Sequence, residues 1–188
     1  LAVLLKTEVR AFTVSSACVA GVDAVAHASD LIRRGEVDLV LAGGADCATS
    51  PLALACFCAA GLVPSSNGHE PGKVSRPFDR ERKGGITAEG AGILVLERLE
   101  SAMARGAVPL LEILGHGDSV DKPGSESSSG LLTSMSMALA NSCLRGTDID
   151  YICAHGPSDP TIDRVETETI KTLFGDHAYR IPVTSIKG

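Results

Sequence analysis

Two short apolar runs bounded by glycine leave little freedom in the choice of architecture. They are Val37-Asp-Leu-Val-Leu-Ala42, closed by Gly43-Gly44, and Gly92-Ile-Leu-Val-Leu-Glu97. Neither run alternates polar with apolar, so each reads as a strand buried on both faces, the pattern of a sheet covered by helices. Further strands are expected at 12–17, from Leu110 to Gly115, at Tyr151–Ala154 and at Ile181–Ser185. Between them lie helical spacings: Cys18–Arg34, ended by Gly35; Pro51–Gly61; Leu99–Arg105, ended by Gly106; Ser134–Leu144; and Asp163–Phe174. Alternating strands and helices define an α/β layered fold. Residues 64–76 and the Gly/Ser-rich 117–130 read as loops, the second a boundary or a rim. The chain begins and ends inside apparent elements, as expected of part of a longer protein.

Charge and cysteine usage narrow the chemistry. A net charge of -6 and the absence of any basic block argue against a nucleic-acid surface. No apolar run reaches the roughly 20 residues that cross a bilayer, and no leader pattern is seen, so a cytoplasmic protein is expected. The six cysteines (18, 47, 56, 58, 143 and 153) lack metal-site spacing, and five are expected to be buried, reduced and inert.

The sixth, Cys18, stands where the extended run 12–17 meets a helix start, amid Ala17, Ala20 and Gly21. Unpaired helix-terminal N–H groups and the helix dipole stabilise a thiolate there. The same amides can hold an oxyanion that forms when the thiolate attacks an acyl group. His155, in Ala154-His-Gly-Pro-Ser-Asp-Pro160, is placed where an apolar strand runs out into a loop, the usual meeting point for ligands in α/β sheets. Cysteine and histidine make a plausible nucleophilic pair, set against the plainer readings of a buried structural thiol and a strand-capping histidine. His27, His69, His116 and His177 read as structural or solvated.

Several segments together resemble the β-ketoacyl synthase family of elongating condensing enzymes. They are Val14-Ser-Ser-Ala-Cys18-Val-Ala-Gly21, Ala42-Gly-Gly-Ala-Asp46, Arg76-Pro-Phe-Asp79 with Ala88-Glu-Gly-Ala-Gly92, Ala154-His-Gly156 with Ser158, Pro160, Asp163 and Glu166, and Ser185-Ile-Lys187-Gly. The resemblance implies a thiolase-like α/β/α fold, here incomplete: 1–108 as the later part of the N-terminal half and 109–188 as the early part of the C-terminal half. The absent front would supply opening strands and dimer surface, and the absent back a second histidine and an oxyanion loop. The present residues alone are therefore expected to be poorly soluble or inactive.

The resemblance further implies that Cys18 accepts an acyl group from a carrier thioester and that His155 stabilises the enolate left when malonyl-carrier protein loses carbon dioxide. Lys187 and Glu166 would form a buried ion pair organising the histidines, with Asp163 supporting. Asp79 and Glu89 would hold loops. Acyl carrier protein, acyl and malonyl thioesters on phosphopantetheine, and a homodimer or synthase-like partner are implied; no metal or redox cofactor is. Pro157 and Asp159 depart from the family's pantetheine-contacting threonines, Lys83-Gly84-Gly85 stands for its usual acidic-Gly-Phe, and the 119–130 segment is short. All three departures are expected to touch the substrate entrance. Two other readings are a catalytically impaired chain-length-factor-type partner, against which Cys18 speaks, and a degradative thiolase.

Overall fold

A computed structural model describes residues 2–64, 70–122 and 129–188. The chain forms two compact units that interleave along the sequence: Leu1–Ala45 with Ala91–Leu110, and Asp46–Gly90 with Leu111–Gly188.

The first unit opens with a one-turn helix α1 (Ala2–Leu5). A short 3-10 turn at Ala17–Val19 leads into α2 (Ala20–Arg33), and the unit ends with α4 (Leu99–Ala104). Its sheet pairs β1 (Leu39–Cys47) with β2 (Glu89–Glu97). The Arg98 N–H donates to the Asp38 carbonyl at 3.0 Å, while Cys47 meets Glu89 at the other end, so the strands run antiparallel. Close pairing rests on glycine: a Cβ on Gly43 would fall 2.0 Å from the Gly92 carbonyl oxygen. Gly21 of α2 approaches the Gly44 backbone, its added Cβ only 3.8 Å from Gly44 N, so small residues on both sides let the helix sit against the strand.

Three expectations fail in this unit. Residues 12–16 form no strand, because β-forming residues need a ladder partner to settle into one. Strands β1 and β2 are not buried on both faces; Ala42 and Leu96 are buried, but Leu39, Leu41, Ile93, Leu94 and Val95 are exposed. A two-stranded ribbon with one helix against it cannot cover both its faces. The five cysteines expected to be inert core residues are all exposed, as is Cys18.

In the second unit α3 (Pro51–Ala59) is started by Ser50, whose Oγ accepts the Ala53 N–H at 3.3 Å, with Pro51 in the first turn where its missing N–H costs nothing. Helix α5 (Ser129–Ser142) packs on α6 (Pro160–Phe174). The expected strand at 110–115 is irregular. Parts of the two loop segments, including His69, lie outside the described residues. Strands β3 (Ile152–Cys153) and β4 (Val183–Thr184) pair in parallel, Ile152 with Val183 and Cys153 with Thr184, and α6 forms the connection between them. Helix α6 begins three residues earlier than its apolar pattern indicates. Asp159 caps it, accepting the Thr161 and Ile162 N–H groups at 2.8 Å each, and Pro160 follows. Its inner face carries Asp163, Glu166 and Ile170, at helical spacing, with Thr169 beside them. A helix that buries two carboxylates against the end of β3 must satisfy them, and that requirement builds the site.

Candidate active site

In the first unit the chain turns sharply before the thiol. Ala17 has φ 57°, a left-handed conformation that a residue with a Cβ adopts only under constraint, and Cys18 follows it inside the 3-10 turn leading to α2. The turn presents Cys18 exposed at the head of a 14-residue helix, whose leading N–H groups lack intrahelical acceptors. Ser16 does not cap the helix with its side chain; its hydroxyl donates to the Asp23 carboxylate in the first turn of α2. His27, farther along α2, places its ring edge-on to Phe12 at 5.8 Å.

In the second unit His155 leaves the end of β3 and is gripped through its backbone. The Glu166 carboxylate, 7% exposed, accepts the His155 N–H at 2.7 Å and the Gly156 N–H at 2.8 Å. Two charge-assisted bonds to adjacent amides fix the peptide before and after the histidine. Ser185 Oγ donates to the Gly156 carbonyl at 2.9 Å and accepts the Lys187 N–H at 3.2 Å, linking the histidine loop to the segment after β4.

Lys187 completes the arrangement. Its Nζ lies 3.3 Å from His155 Nδ1 and also donates to the His155 carbonyl. An ammonium can only donate, so Nδ1 accepts and the ring proton of neutral imidazole resides on Nε2. Burial, and then the Lys187 charge, push the His155 pKa below its ordinary 6.5, with Glu166 and Asp163 opposing. The histidine is therefore held neutral with Nε2–H as a donor. The expected ion pair between Lys187 and Glu166 is not formed: Glu166 is already satisfied by two amides, and Lys187, on an exposed segment, turns to the histidine instead.

Asp163 is fully buried and binds a different loop. Its Oδ2 accepts the Phe78 N–H at 2.8 Å and forms an ion pair with Arg82, Nε lying 3.0 Å away, while Oδ1 accepts no hydrogen bond. Arg82 also donates to the carbonyls of Asp79 and Pro160, each at 2.9 Å. Asp79 behaves as a loop staple: its carboxylate accepts the Glu81 N–H and pairs with Arg76, and these contacts lower its pKa. Glu89 accepts from Cys47 Sγ at 3.1 Å and from Thr49 at 3.3 Å. Arg82 has no motif to mark it, and the contacts of Phe78 with Asp163, Ser158 with Arg76 and Ser185 with Gly156 join positions 29 to 85 residues apart, which no local pattern shows.

Two of the three departures sit together. Asp159 spends its carboxylate on capping α6. Pro157 lies beside Gly85, where an added Cβ would fall 2.7 Å from the Pro157 carbonyl oxygen, so the present loop path requires glycine at 85. Among the described residues no group of three or more His, Cys, Asp or Glu side chains is placed to hold a metal ion, and no helix is long and apolar enough to cross a membrane.

Residues 1–102 match the model of the β-ketoacyl synthase N-terminal domain, and residues 112–188 match that of the C-terminal domain. The chain belongs to the β-ketoacyl synthase family. It is 40% identical over 179 residues to 3-oxoacyl-(acyl-carrier-protein) synthase 2 of Rhizobium meliloti, covering 93% of this chain and 42% of that protein. Against the tetracenomycin polyketide synthase ketoacyl synthase alpha subunit of Streptomyces glaucescens it is 37% identical over 182 residues, with the same coverage of 93% and 42%. Among solved structures, a type II polyketide synthase acyl-carrier protein in complex with its hexaketide-bound ketosynthase superposes with a TM-score of 0.93 at 32% identity, covering 99% of this chain and 47% of that one. The fold is thus the thiolase-like one of ketosynthases, and the chain spans less than half the length of these relatives.

Proposed function

We propose that the chain is the part of a β-ketoacyl synthase that accepts an acyl group on Cys18 and stabilises a malonyl-derived enolate at His155. The reading is carried by one observation: Lys187 Nζ at 3.3 Å from His155 Nδ1, which leaves Nε2–H free to donate to a developing oxyanion.

The Cys18 thiolate attacks the carbonyl carbon of an acyl thioester on carrier protein; a new C–S bond forms, the old one breaks, and the carrier sulfur leaves as a thiolate that takes a proton from water. Thioester exchange is nearly isoenergetic, so the task is activation and oxyanion stabilisation rather than driving force. Malonyl thioester then loses carbon dioxide, and the electron pair of the broken C–C bond enters an enolate whose oxygen receives the His155 Nε2–H hydrogen bond. The enolate carbon bonds to the acyl carbon, and Cys18 departs as thiolate. Lys187 fixes the tautomer, and Glu166 fixes the loop.

Acyl carrier protein is the proposed partner, with phosphopantetheine carried by the substrate rather than resident in the protein. A homodimer or a synthase-like partner subunit, in the cytoplasm, belongs to the same reading. The retained Cys18 at a constrained turn favours an enzyme over a chain-length-factor-type subunit.

Intact-protein mass after incubation with a medium-chain acyl-CoA or acyl-carrier thioester tests it. A single acyl adduct, absent from Cys18→Ala, is expected. Its absence from a cooperatively folded protein would sink the acyl-transfer reading.

A further inference from the structure

We propose that Phe78 is a positioning residue for His155, its ring serving as the surface against which the histidine loop is set. The proposal rests on the reading that His155 is the enolate-stabilising group.

Gly156, directly after the histidine, has φ +35°, and a Cβ added there would lie 2.9 and 3.1 Å from the Phe78 ring atoms Cε2 and Cζ. The ring therefore stands directly against the backbone that carries His155. The other sides of Gly156 are already taken: Glu166 accepts its N–H, and Ser185 donates to its carbonyl. The Ser185 Cβ, 2.8 Å from the same added Cβ, closes one flank of Gly156, and the ring is the larger apolar surface that limits how far the peptide can move toward the loop that bears it.

That surface is itself held rigidly. Phe78 has φ 63°, a left-handed conformation that a bulky residue keeps only when its surroundings enforce it. The enforcement comes from α6: Phe78 N–H and Arg82 Nε converge on one oxygen of the fully buried Asp163. The histidine loop answers with a second left-handed residue, Ser158, at φ 69° and fully buried. Its hydroxyl accepts the Arg76 N–H at 3.0 Å and its carbonyl accepts the Gly84 N–H at 2.9 Å. Each loop thus has one residue in a costly backbone conformation, tied down by groups outside its own loop. Two loops joined in this way are coupled, and Phe78 touches the backbone of the residue directly after His155.

The test uses Phe78→Leu, which stays apolar but loses the reach of the ring, and Arg82→Lys, which keeps the charge but loses the guanidinium fork. The first measurement is the NMR titration of His155 in histidine-labelled protein, its resonance assigned with His155→Gln. The groups facing the ring are Lys187, Glu166 and Asp163. When the loop relaxes, burial and the Lys187 contact both weaken, so the midpoint should rise toward 6.5 in either variant. The second measurement is decarboxylation of a malonyl thioester, where kcat should fall about 10- to 100-fold with KM unchanged. Alkylation of Cys18, in the other unit, serves as a control and should keep its rate. A Phe78→Leu protein that melts cooperatively with an unchanged His155 titration overturns the proposal. Should that variant fail to fold, Arg82→Lys decides by the same criterion. Wild-type protein that does not decarboxylate, with a titration that still shifts in Phe78→Leu, would end the functional reading and leave the positioning role standing.

Discussion

Lys187 Nζ stands 3.3 Å from Nδ1 of His155 and donates to the carbonyl of the same residue, so one ammonium holds both the ring and the backbone of the histidine. Lys187→Met removes the donor that selects the Nε2–H tautomer and the charge that disfavours imidazolium. The His155 titration midpoint should rise, and malonyl-thioester decarboxylation should fall about tenfold to a hundredfold, less than the roughly 100- to 1,000-fold loss expected of His155→Ala. NMR titration and kcat on the same preparations check both; a loss of rate without a change of midpoint would assign Lys187 a different role.

The depressed pKa of His155 also fixes a pH dependence. Unfolded, the imidazole titrates near 6.5; folded, it titrates lower, so the folded chain binds fewer protons in the window below 6.5. The contribution of this group is complete above that value and is lost as pH falls through the depressed folded value. Acidification from about pH 7 to about pH 5 should lower the urea midpoint of wild-type protein more than that of His155→Gln. Decarboxylation, which needs neutral imidazole, should be flat above 6.5 and fall on the acid side.

Glu166 holds two adjacent amides on one carboxylate. In Glu166→Gln one oxygen remains to accept, while the new NH₂ confronts the other backbone N–H. One buried donor is then unsatisfied, at a cost of about 1–3 kcal/mol. The urea midpoint should drop accordingly, and decarboxylation should fall further than folding alone explains. Cys18 acylation should be spared in the folded fraction.

What the sequence disclosed and what it hid separate along physical lines. Cys18 at a helix start and His155 at a strand end were legible because chain direction and apolar patterning mark such junctions locally. The α6 start at Pro160 was missed because the apolar spacing begins only later, whereas the Asp159-Pro160 cap signals the helix in another way. The strand at 12–17 and the doubly buried β1 and β2 were over-read, since propensity reports what a segment can do once it has neighbours, and this chain provides few. Lys187 meets His155 rather than the Glu166 that the resemblance implies, because which acid or base a long side chain meets depends on what has already satisfied its rival, here the two amides on Glu166. The Phe78–Gly156 contact is invisible in sequence because it joins residues 78 positions apart through shape alone.

The paired glycines of the β1–β2 ribbon make an asymmetric prediction. A Cβ on Gly43 would lie 2.0 Å from the Gly92 carbonyl oxygen and 2.9 Å from its carbon, whereas a Cβ on Gly92 meets nothing within 4 Å. The obstacle at Gly43 is backbone, which cannot swing aside as a side-chain tip could, so Gly43→Ala must part the strands locally. Gly44 follows directly and lets Gly21 of α2 approach, so the disturbance reaches the first turns of the helix that presents Cys18. Gly43→Ala should therefore cost at least about 3 kcal/mol, at the severe end for a point substitution, while Gly92→Ala should stay within about 0.5 kcal/mol of wild type. Thermal melting of the two variants side by side checks the stability claim, and the alkylation rate of Cys18 checks its extension to the thiol. Equal melting temperatures would mean that the strands are not packed as closely as the geometry places them.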